Sequence, residues 1–334
     1  MNDVELSSKS MKKVILSNIR TTLIELGSAT KVEMNEKLDI SFPTISKFLA
    51  TMEKEGEIFS VGLDESSGGR RAKRYQYNPE YMLGLAIFLE RTETNYTIFN
   101  CLGEIKEQGT FSSFLIDDGL QILTTYIDSI MTRHPNIKSL AIGVPGAVDE
   151  GRIFHIPDYE QFKHFDIKGY FENYFSIDVV VENDMNAAVL GYHKRQGNQN
   201  SHSLIYLYIG QNGPGAGLLI NGDVVRGSTF FAGEVSFVPQ YDDRNFWQAL
   251  EKGKHGDEKV DAISRLVASF TAMMNPHSFI FCNDDLDESS IEKIIECSTN
   301  YIAKEHLPEL TRSDWKEDYL FGLQSLGLQL MINK

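Results

Sequence analysis

The sequence has none of the features that mark a membrane protein, a secreted disulfide scaffold or a metal-cluster protein. Its three cysteines, Cys101, Cys282 and Cys297, lie far apart and form no CxxC pair, which disfavours both disulfides and a cysteine metal site. No window approaches the roughly 18 consecutive apolar residues of a membrane span. The N-terminus is polar and acidic and has no apolar signal core. We therefore expect a cytoplasmic protein that does not contact a membrane.

The composition is that of a folded chain whose charge is unevenly distributed. The 334 residues are 42% hydrophobic and 24% charged, and a typical domain of roughly 100–200 residues predicts more than one domain. Residues 1–80 contain 12 Lys+Arg and 12 Asp+Glu, so residues 81–334 carry the entire net charge of −15. An acidic surface repels nucleic acid, whereas a neutral segment with clustered cations can bind it through local phosphate contacts.

The first 80 residues predict a winged helix-turn-helix. Apolar positions between Val14 and Leu26 have helical spacing, Thr30 caps a short second helix, and Ser41 precedes a third helix that ends before Gly56. Two strand-like runs at 57–63 and 73–77 flank a glycine-rich turn and the cation cluster 70–74. Asn78-Pro79 then marks a boundary, because the residue before a proline is pushed out of helical geometry.

The start of the third helix and the basic wing form the predicted interface with operator DNA. In a helix-turn-helix the recognition helix presents its N-terminal residues to base edges in the major groove, and a cationic wing can reach phosphates or the minor groove. The residues assigned to DNA are Phe42, Thr44, Ser46 and Lys47 on the helix and Arg70, Arg71, Lys73 and Arg74 on the wing. Two alternatives stay open: a solvated basic linker, and a small helical oligomerisation domain.

The remaining residues predict α/β layers, because apolar strand-like runs alternate with helical patterns. Predicted strands cover 82–89, 96–101, 105–114, 139–144, 179–181, 204–209 and 218–220, and predicted helices cover 120–132 and 185–192. Residues 210–217 are expected to form a glycine-rich loop, and Asn221-Gly222 a two-residue hairpin turn.

Several short motifs occur in this part in a fixed order. They are Ser67–Arg70 in the wing, Gly143–Gly146 at a strand end, Glu182–Ala188, Gly213–Gly217, Asn221-Gly222, Arg226-Gly227 and Phe231–Glu234. In this combination the sequence resembles the ROK family, which contains sugar kinases and sugar-linked transcriptional repressors. The resemblance implies an actin-like, ribonuclease H-like domain of two lobes. It also implies the regulator branch, because only that branch carries an N-terminal winged helix.

The resemblance suggests three domain ranges and a degraded nucleotide site. The ranges are 1–80 for DNA binding, 81–190 with 315–334 for the first lobe, and 191–314 for the second lobe and oligomerisation. Family kinases have a phosphate loop Asp-x-Gly-Gly-Thr, where this chain has Ala86, Phe88, Leu89 and Glu90. Asn212 stands at the expected threonine of a second phosphate loop, and no glycine pair follows Asn275-Pro276. We therefore expect no ATP-dependent phosphorylation and no cofactor.

The sugar side of the family site is partly kept. The resemblance assigns sugar contacts to Gly146, Asn183, Asp184 and Glu234, with Asp184 at the position of the kinases' general base. The family's next Gly-His is replaced by Ser236-Phe237, and no cysteine lies between 102 and 281, so the family's structural zinc is not expected. Simpler alternatives stay open: Asp184 as a helix cap, Glu234 as an exposed turn residue, and the glycines of 213–217 as turn residues.

The sequence therefore predicts a repressor of carbohydrate-related genes that binds operator DNA and senses a sugar or sugar derivative. Ligand binding would change the closure of the lobes and the spacing of two winged helices in a homodimer or a dimer of dimers. The principal alternative is a ROK-type sugar kinase with a vestigial DNA-binding arm. A further alternative is an interaction module whose pocket is closed.

Overall fold

The computed structural model describes residues 2–63, 72–90, 92–113, 119–156, 159, 162–197, 202–210, 213–241, 243–252, 256–284 and 286–334. The N-terminal part contains three helices and one antiparallel sheet. The helices are α1 (Asn2–Leu26), α2 (Lys31–Leu38) and α3 (Phe42–Glu55), and the strands are β1 (Ala29–Thr30), β2 (Ile58–Leu63) and β3 (Lys73–Tyr77), in the order β1-β3-β2. Strands β2 and β3 are the two sides of the predicted wing. Its tip, 64–71, lies outside the described residues.

The helix boundaries in this part follow from local chemistry. Thr30 and Glu33 form a capping box at the start of α2, and Asp39 ends that helix in the left-handed conformation. The turn to α3 ends at Ser41, which makes no side-chain cap to the backbone, and Gly56 ends α3 with φ +77°. The stripe expected on α3 is buried as predicted: Ile45, Phe48, Leu49 and Met52. On α1, Ile19 and Leu23 are buried, whereas Val14 and Leu26 are exposed.

A buried ion pair lies inside the winged helix. The Nε of Arg20 lies 2.5 Å from Oε1 of Glu57, and these residues are only 7% and 1% exposed. The hydroxyl of Tyr77 donates to the same Glu57 oxygen at 3.1 Å. The pair connects α1 to the residue before β2 and to β3.

The first lobe is built on a five-stranded mixed sheet. Its strands are β4 (Leu83–Leu89), β5 (Glu93–Asn100), β6 (Ile105–Ser112), β7 (Ile137–Val144) and β10 (Asp178–Asn183), in the order β10-β7-β4-β5-β6. Helices α4 (Gly119–Arg133) and α5 (Ile167–Phe175) and the hairpin β8 (Ala147–Asp149) with β9 (Arg152–His155) complete it. Strands β4, β7 and β10 are parallel, whereas β5 and β6 are antiparallel.

The second lobe repeats this topology. Its strands are β11 (Leu204–Gly210), β12 (Gly213–Ile220), β13 (Asp223–Val224), β16 (Ser278–Cys282) and β17 (Glu309–Ser313), in the order β13-β12-β11-β16-β17. Its helices are α7 (Phe246–Lys252), α8 (Asp257–Met274) and α9 (Glu288–Ser298), with a hairpin of β14 (Pro239–Tyr241) and β15 (Arg244–Asn245). In both sheets a meander of three antiparallel strands is extended by two parallel strands.

One expectation about local structure is wrong. Residues 213–217 were expected to be a loop, but they form the first part of β12 and pair in register with 206–210 of β11. Glycine is required there by packing: a Cβ on Gly217 would overlap the backbone oxygen of Met185. The predicted turn at Asn221-Gly222 is confirmed, and both residues have positive φ.

Two helices lie in close contact between the sheets. Helix α6 (Asp184–Arg195) packs along α10 (Trp315–Ile332), and the backbones touch because Gly191 and Gly322 lie at the crossing. A Cβ on Gly322 would overlap the carbonyl oxygen of Ala187. Polar contacts fix the same crossing, since buried Asp318 accepts hydrogen bonds from Arg195 at 2.8 Å and from Tyr206 at 2.9 Å.

The other end of α10 touches the winged helix. Ser17 of α1 donates to the side chain of Asn333 at 2.9 Å, and Nη1 of Arg20 donates to the carbonyl of Ile332 at 3.2 Å.

The three predicted domain ranges remain a proposal, and the boundary at 190 falls inside α6. Among the helices of the described residues, none combines the length and apolarity that a membrane crossing needs.

Candidate functional sites

Of the four residues of α3 that the sequence assigns to DNA, two are exposed and two are half-buried. Lys47 is exposed and Phe42 is 44% exposed. Thr44 and Ser46 are half-buried, and the Thr44 hydroxyl lies 2.9 Å from that of Ser41. Their assignment to DNA therefore remains a prediction, and Phe42 and Lys47 are the exposed members of the set.

Two further polar residues extend this face. Thr51 and Lys54 are exposed and follow Lys47 at spacings of four and seven residues, which places them on the same side of α3. They were missed because the predicted interface was confined to the first turn of the helix. Their spacing from Lys47 could have identified them, because the sequence already predicted which residues of α3 form its buried stripe.

The cations at the base of the wing have partners inside the protein. Nζ of Lys73 lies 2.6 Å from Oε1 of Glu53, and Nη2 of Arg74 lies 2.8 Å from Oε1 of Glu33. Arg74 also donates to the carbonyl of Ser28 at 3.0 Å, so it ties β3 to the start of α2. Arg70 and Arg71 lie outside the described residues. Contact of these four cations with DNA stays a prediction.

A cavity of about 700 Å³ is lined by elements of both sheets. Asn183 and Gly146 lie where the parallel strands β10 and β7 end, the edge at which open α/β sheets bind ligands. Asn183 caps α6 by accepting a hydrogen bond from the amide of Asn186 at 3.0 Å. Its amide group donates to the carbonyl of Gly146 and to Oδ1 of Asp184. Gly146 therefore orients Asn183.

Asp184 and Glu234 both line this cavity. Burial, together with the nearby charge of Glu234, raises the pKa of Asp184 to about 7. The helix cap is Asn183, so Asp184 is not needed in that role, although its Oδ1 accepts from the amide of Met185 at 2.8 Å. The structure thus brings together all four residues assigned to the sugar: Gly146, Asn183, Asp184 and Glu234.

An ion pair that sequence reasoning missed joins the two lobes beside the cavity. Arg226, which follows β13 in the second lobe, is bonded to buried Glu182 at the end of β10. Glu182 also accepts from the side chain of Asn186 at 3.0 Å. Both residues belong to motifs of the resemblance, but the motifs do not show that they pair with each other.

The nucleotide side of the cleft contains aromatic packing. Phe88, at a position where the resemblance implies a phosphate-loop glycine, packs against Tyr319 of α10 at 5.3 Å between ring centroids. Trp315 of α10 stacks on Tyr208 of the second lobe at 4.7 Å. Burial raises the pKa of Glu90, and Lys316 lies 3.8 Å from that carboxylate. Phe88 thus places a ring where the resemblance implies a glycine, and Glu90 places an acid where it implies a threonine.

Phe246 and Trp247, in the region where the resemblance implies a zinc loop, pack within the second lobe. Phe246 is fully buried, and Trp247 lies within van der Waals distance of the position a Cβ on Gly213 would take. Phe237 lines the cavity and is 61% exposed. Among the described residues, no group of three His, Cys, Asp or Glu side chains is arranged to hold a metal.

Two lobes of repeated α/β topology, a cleft between them and an attached winged helix define the class of protein. Residues 85–256 match the ROK family, slightly more than half of the chain, and the chain therefore belongs to the ROK family. The xylose repressor of Bacillus spizizenii is 24% identical over 234 residues, which are 68% of this chain and 61% of that repressor. The chain thus spans less than two thirds of the length of this relative.

Solved structures share the same architecture. A ROK family transcriptional regulator, described as a homolog of the E. coli MLC protein, superposes with a TM-score of 0.75 at 17% identity, covering 97% of this chain and 99% of its own. A ROK family glucokinase from Streptomyces griseus, solved with glucose and AMPPNP, reaches 0.56 at 18% identity, covering 73% of this chain and 99% of its own. At these identities the likeness establishes the fold alone. The predicted family and its actin-like α/β fold are confirmed.

Proposed function

We propose that the protein is a transcriptional repressor whose affinity for operator DNA is set by a sugar or sugar derivative in the cavity. The observation that carries this proposal is the position of α10, which contacts the helix that starts at the cavity and also the first helix of the winged helix. The name of the xylose repressor relative supports the same function. Because its target is the bacterial chromosome, we place the protein in the cytoplasm.

The route that we propose from ligand to DNA follows contacts between successive helices. Asp184 is the first residue of α6, so a ligand bonded to it acts on the start of that helix. Helix α6 meets α10 backbone to backbone at Gly191 and Gly322, and the hydrogen bond from Arg195 to Asp318 holds the same crossing, so the two helices are expected to move together. The end of α10 is bonded to Ser17 and Arg20 of α1. A shift of α6 would therefore displace the winged helix.

Sugar phosphorylation is a second candidate, favoured by Asp184 at the position of the family's general base. A raised pKa suits a proton acceptor near neutral pH. However, a triphosphate would meet Phe88 and Glu90 in place of a glycine and a threonine, and Phe88 is joined through Tyr319 to the Trp315–Tyr208 stack. We therefore propose a regulator without enzymatic activity, in which Asp184 accepts hydrogen bonds from sugar hydroxyls.

The functional unit we propose is a homodimer or a dimer of dimers. Winged helices of a symmetric dimer read two half-sites about 34 Å apart, so ligand-driven changes in their spacing alter affinity. Residues 191–314 are the proposed contact between subunits. Met273 of α8 is 72% exposed in this range and offers apolar surface for such a contact.

Lys47→Glu tests the DNA interface. A cation that contacts phosphate contributes through counterion release, so its reversal should weaken binding to the DNA upstream of the protein's own gene by about tenfold or more. The salt dependence of log Kd should fall by about one unit of slope. Fluorescence anisotropy at several salt concentrations measures both quantities.

The control for this test is Lys106→Glu, which changes the same charge at an exposed position of β6, outside residues 1–80 and 191–314. It should leave the affinity within twofold of the wild type. Equal loss of affinity in both variants would show that net charge alone matters and would contradict a DNA interface on α3.

Gly322→Ala tests the route through α10. A methyl group there must push α10 away from α6, because the obstructing atoms are backbone. We expect a loss of about 1–3 kcal/mol in the free energy of unfolding, and an altered effect of ligand on DNA affinity. Gln329→Ala, on the exposed side of the same helix, should change neither quantity. A ligand effect that Gly322→Ala leaves intact would show that the signal takes another route.

A further inference from the structure

We infer that the effector is an uncharged sugar derivative carrying an apolar substituent, as in an aryl or alkyl glycoside. The inference deepens the proposed function and rests on it in one respect, that the cavity is a sugar site. Its basis is the excess of aromatic surface in the cavity, the placement of that surface beside the polar groups, and the charge of the lining.

The cavity offers more aromatic rings than a monosaccharide can use. Its described lining includes five aromatic side chains: Phe154, Tyr208, Phe230, Phe231 and Phe237. A pyranose has two faces, and its rim of hydroxyls needs polar partners, so it can stack on two rings at most. The volume of about 700 Å³ lies within the range of about 300–1,000 Å³ for pockets that hold drug-sized ligands. The remaining aromatic surface fits an apolar group attached to the sugar.

Two of these rings are open to solvent and adjoin a polar group of the site. Phe231 is 53% exposed and Phe237 is 61% exposed, and their ring centroids are 5.3 Å apart. The backbone amide of Glu234 donates to the carbonyl of Phe231 at 3.3 Å. The backbone amide of Phe237 donates to the carbonyl of Glu234 at 3.2 Å. A ligand held at Glu234 would thus place a substituent against this ring pair, and covering exposed apolar surface is favourable.

The backbone of the same loop is held in an unfavourable conformation. Phe230 has φ +57°, a region that bulky residues rarely adopt. Such strain persists where the surrounding structure fixes it, and it is concentrated at functional sites. Here it accompanies the placement of Phe230 and Phe231 along one wall of the cavity. The surrounding structure therefore fixes the position of the wall that carries Phe230 and Phe231.

The charge of the lining favours an uncharged ligand. Among the described residues that line the cavity, the cations are Lys163 and Arg226, and the guanidinium of Arg226 is bonded to Glu182. Two acids, Asp184 and Glu234, match these two cations, so the described lining has no excess of positive charge to hold a phosphate. A phosphorylated sugar would bring a further double negative charge beside these acids, which is repulsive at short range. The acids instead suit neutral hydroxyls that donate hydrogen bonds.

Calorimetry on the full chain with matched ligand pairs tests this inference. The probes are xylose against phenyl β-D-xyloside, glucose against phenyl β-D-glucoside, and glucose 6-phosphate. In the wild type, at least one phenyl glycoside should bind about tenfold tighter than its parent sugar. In the double variant Phe231→Ser, Phe237→Ser that ratio should fall below about threefold. Phe321→Ser, at an exposed ring on α10, is the matched control and should keep the wild-type ratio.

The outcomes separate this inference from the proposed function. Parent sugars that bind as tightly as their phenyl glycosides would overturn the inference and leave sugar sensing intact, and tighter binding of glucose 6-phosphate would do the same. A phenyl glycoside that binds tightly and leaves DNA affinity unchanged would support the inference and contradict the proposed regulation. Absence of heat with every probe would contradict both.

Discussion

Replacing Arg20 with methionine should lower the free energy of unfolding of the winged helix by about 3–5 kcal/mol, because it leaves Glu57 as an uncompensated buried charge. The hydroxyl of Tyr77 still donates to that carboxylate, but one neutral donor does not replace a guanidinium. The change also removes the hydrogen bond to Ile332 at the end of α10. Hydrogen–deuterium exchange resolved by peptide measures the effect, since amides of α3 and β3 should exchange faster.

Two further variants make this prediction specific. Lys37→Met breaks the exposed ion pair between Lys37 and Glu25 and should cost less than about 1 kcal/mol. The double variant Arg20→Met, Glu57→Gln removes both buried charges and should recover most of the lost stability. If Arg20→Met were no more damaging than Lys37→Met, the buried pair would not be a structural element of the winged helix.

Asp184→Asn should stabilise the protein at alkaline pH while removing its response to sugar. The pKa of Asp184 is raised to about 7 in the folded protein from 3.8, so between these values the folded state holds a proton that the unfolded state releases. Stability therefore falls as the pH rises through this window. The gap in the free energy of unfolding between variant and wild type should widen by about 2–3 kcal/mol from pH 5 to pH 8.

Urea titrations at the two pH values measure this gap. The control is Asp223→Asn, at an exposed position of β13, for which the gap should stay constant. A gap for Asp184→Asn that does not change with pH would mean that the carboxylate is not desolvated in the cavity. A functional site typically loses some stability for the sake of binding, and here a partly buried acid would be kept for its hydrogen bonds.

The winged helix could be predicted from sequence because its signals are local. The stripe from Ile45 to Met52, the cap at Thr30 and the stop at Gly56 each depend on residues a few positions away. The two-residue strand β1 was missed, because it exists only through its pairing with Arg74 and Tyr75 more than 40 residues later. The partners of Lys73 and Arg74 were missed for the same reason.

The candidate sugar site could be assembled from motifs, but its surroundings could not. Asn183, Asp184 and Glu234 were placed together by the resemblance, and they line one cavity. The glycines of 213–217 were expected in a loop, because glycine weakens an isolated strand. Their place in β12 is decided by the neighbouring strand and by the close approach of α6.

The contacts made by the last helix were beyond sequence reasoning. Trp315 and Tyr208 are 107 positions apart and stack on each other, and Ser17 bonds to Asn333 across nearly the whole chain. No spacing rule connects such residues, since the pairing results from how the two lobes and the winged helix fold together. These are the contacts on which the proposed route from ligand to DNA depends.

The most direct measurement is the Kd of the full chain for the DNA upstream of its own gene, with and without a saturating phenyl glycoside. Coupling between two sites is typically about 1–3 kcal/mol, so ligand should change that Kd by at least about fivefold in the wild type, and not at all in Asp184→Asn. Tight binding of both DNA and ligand with a Kd that ligand leaves unchanged would contradict the account.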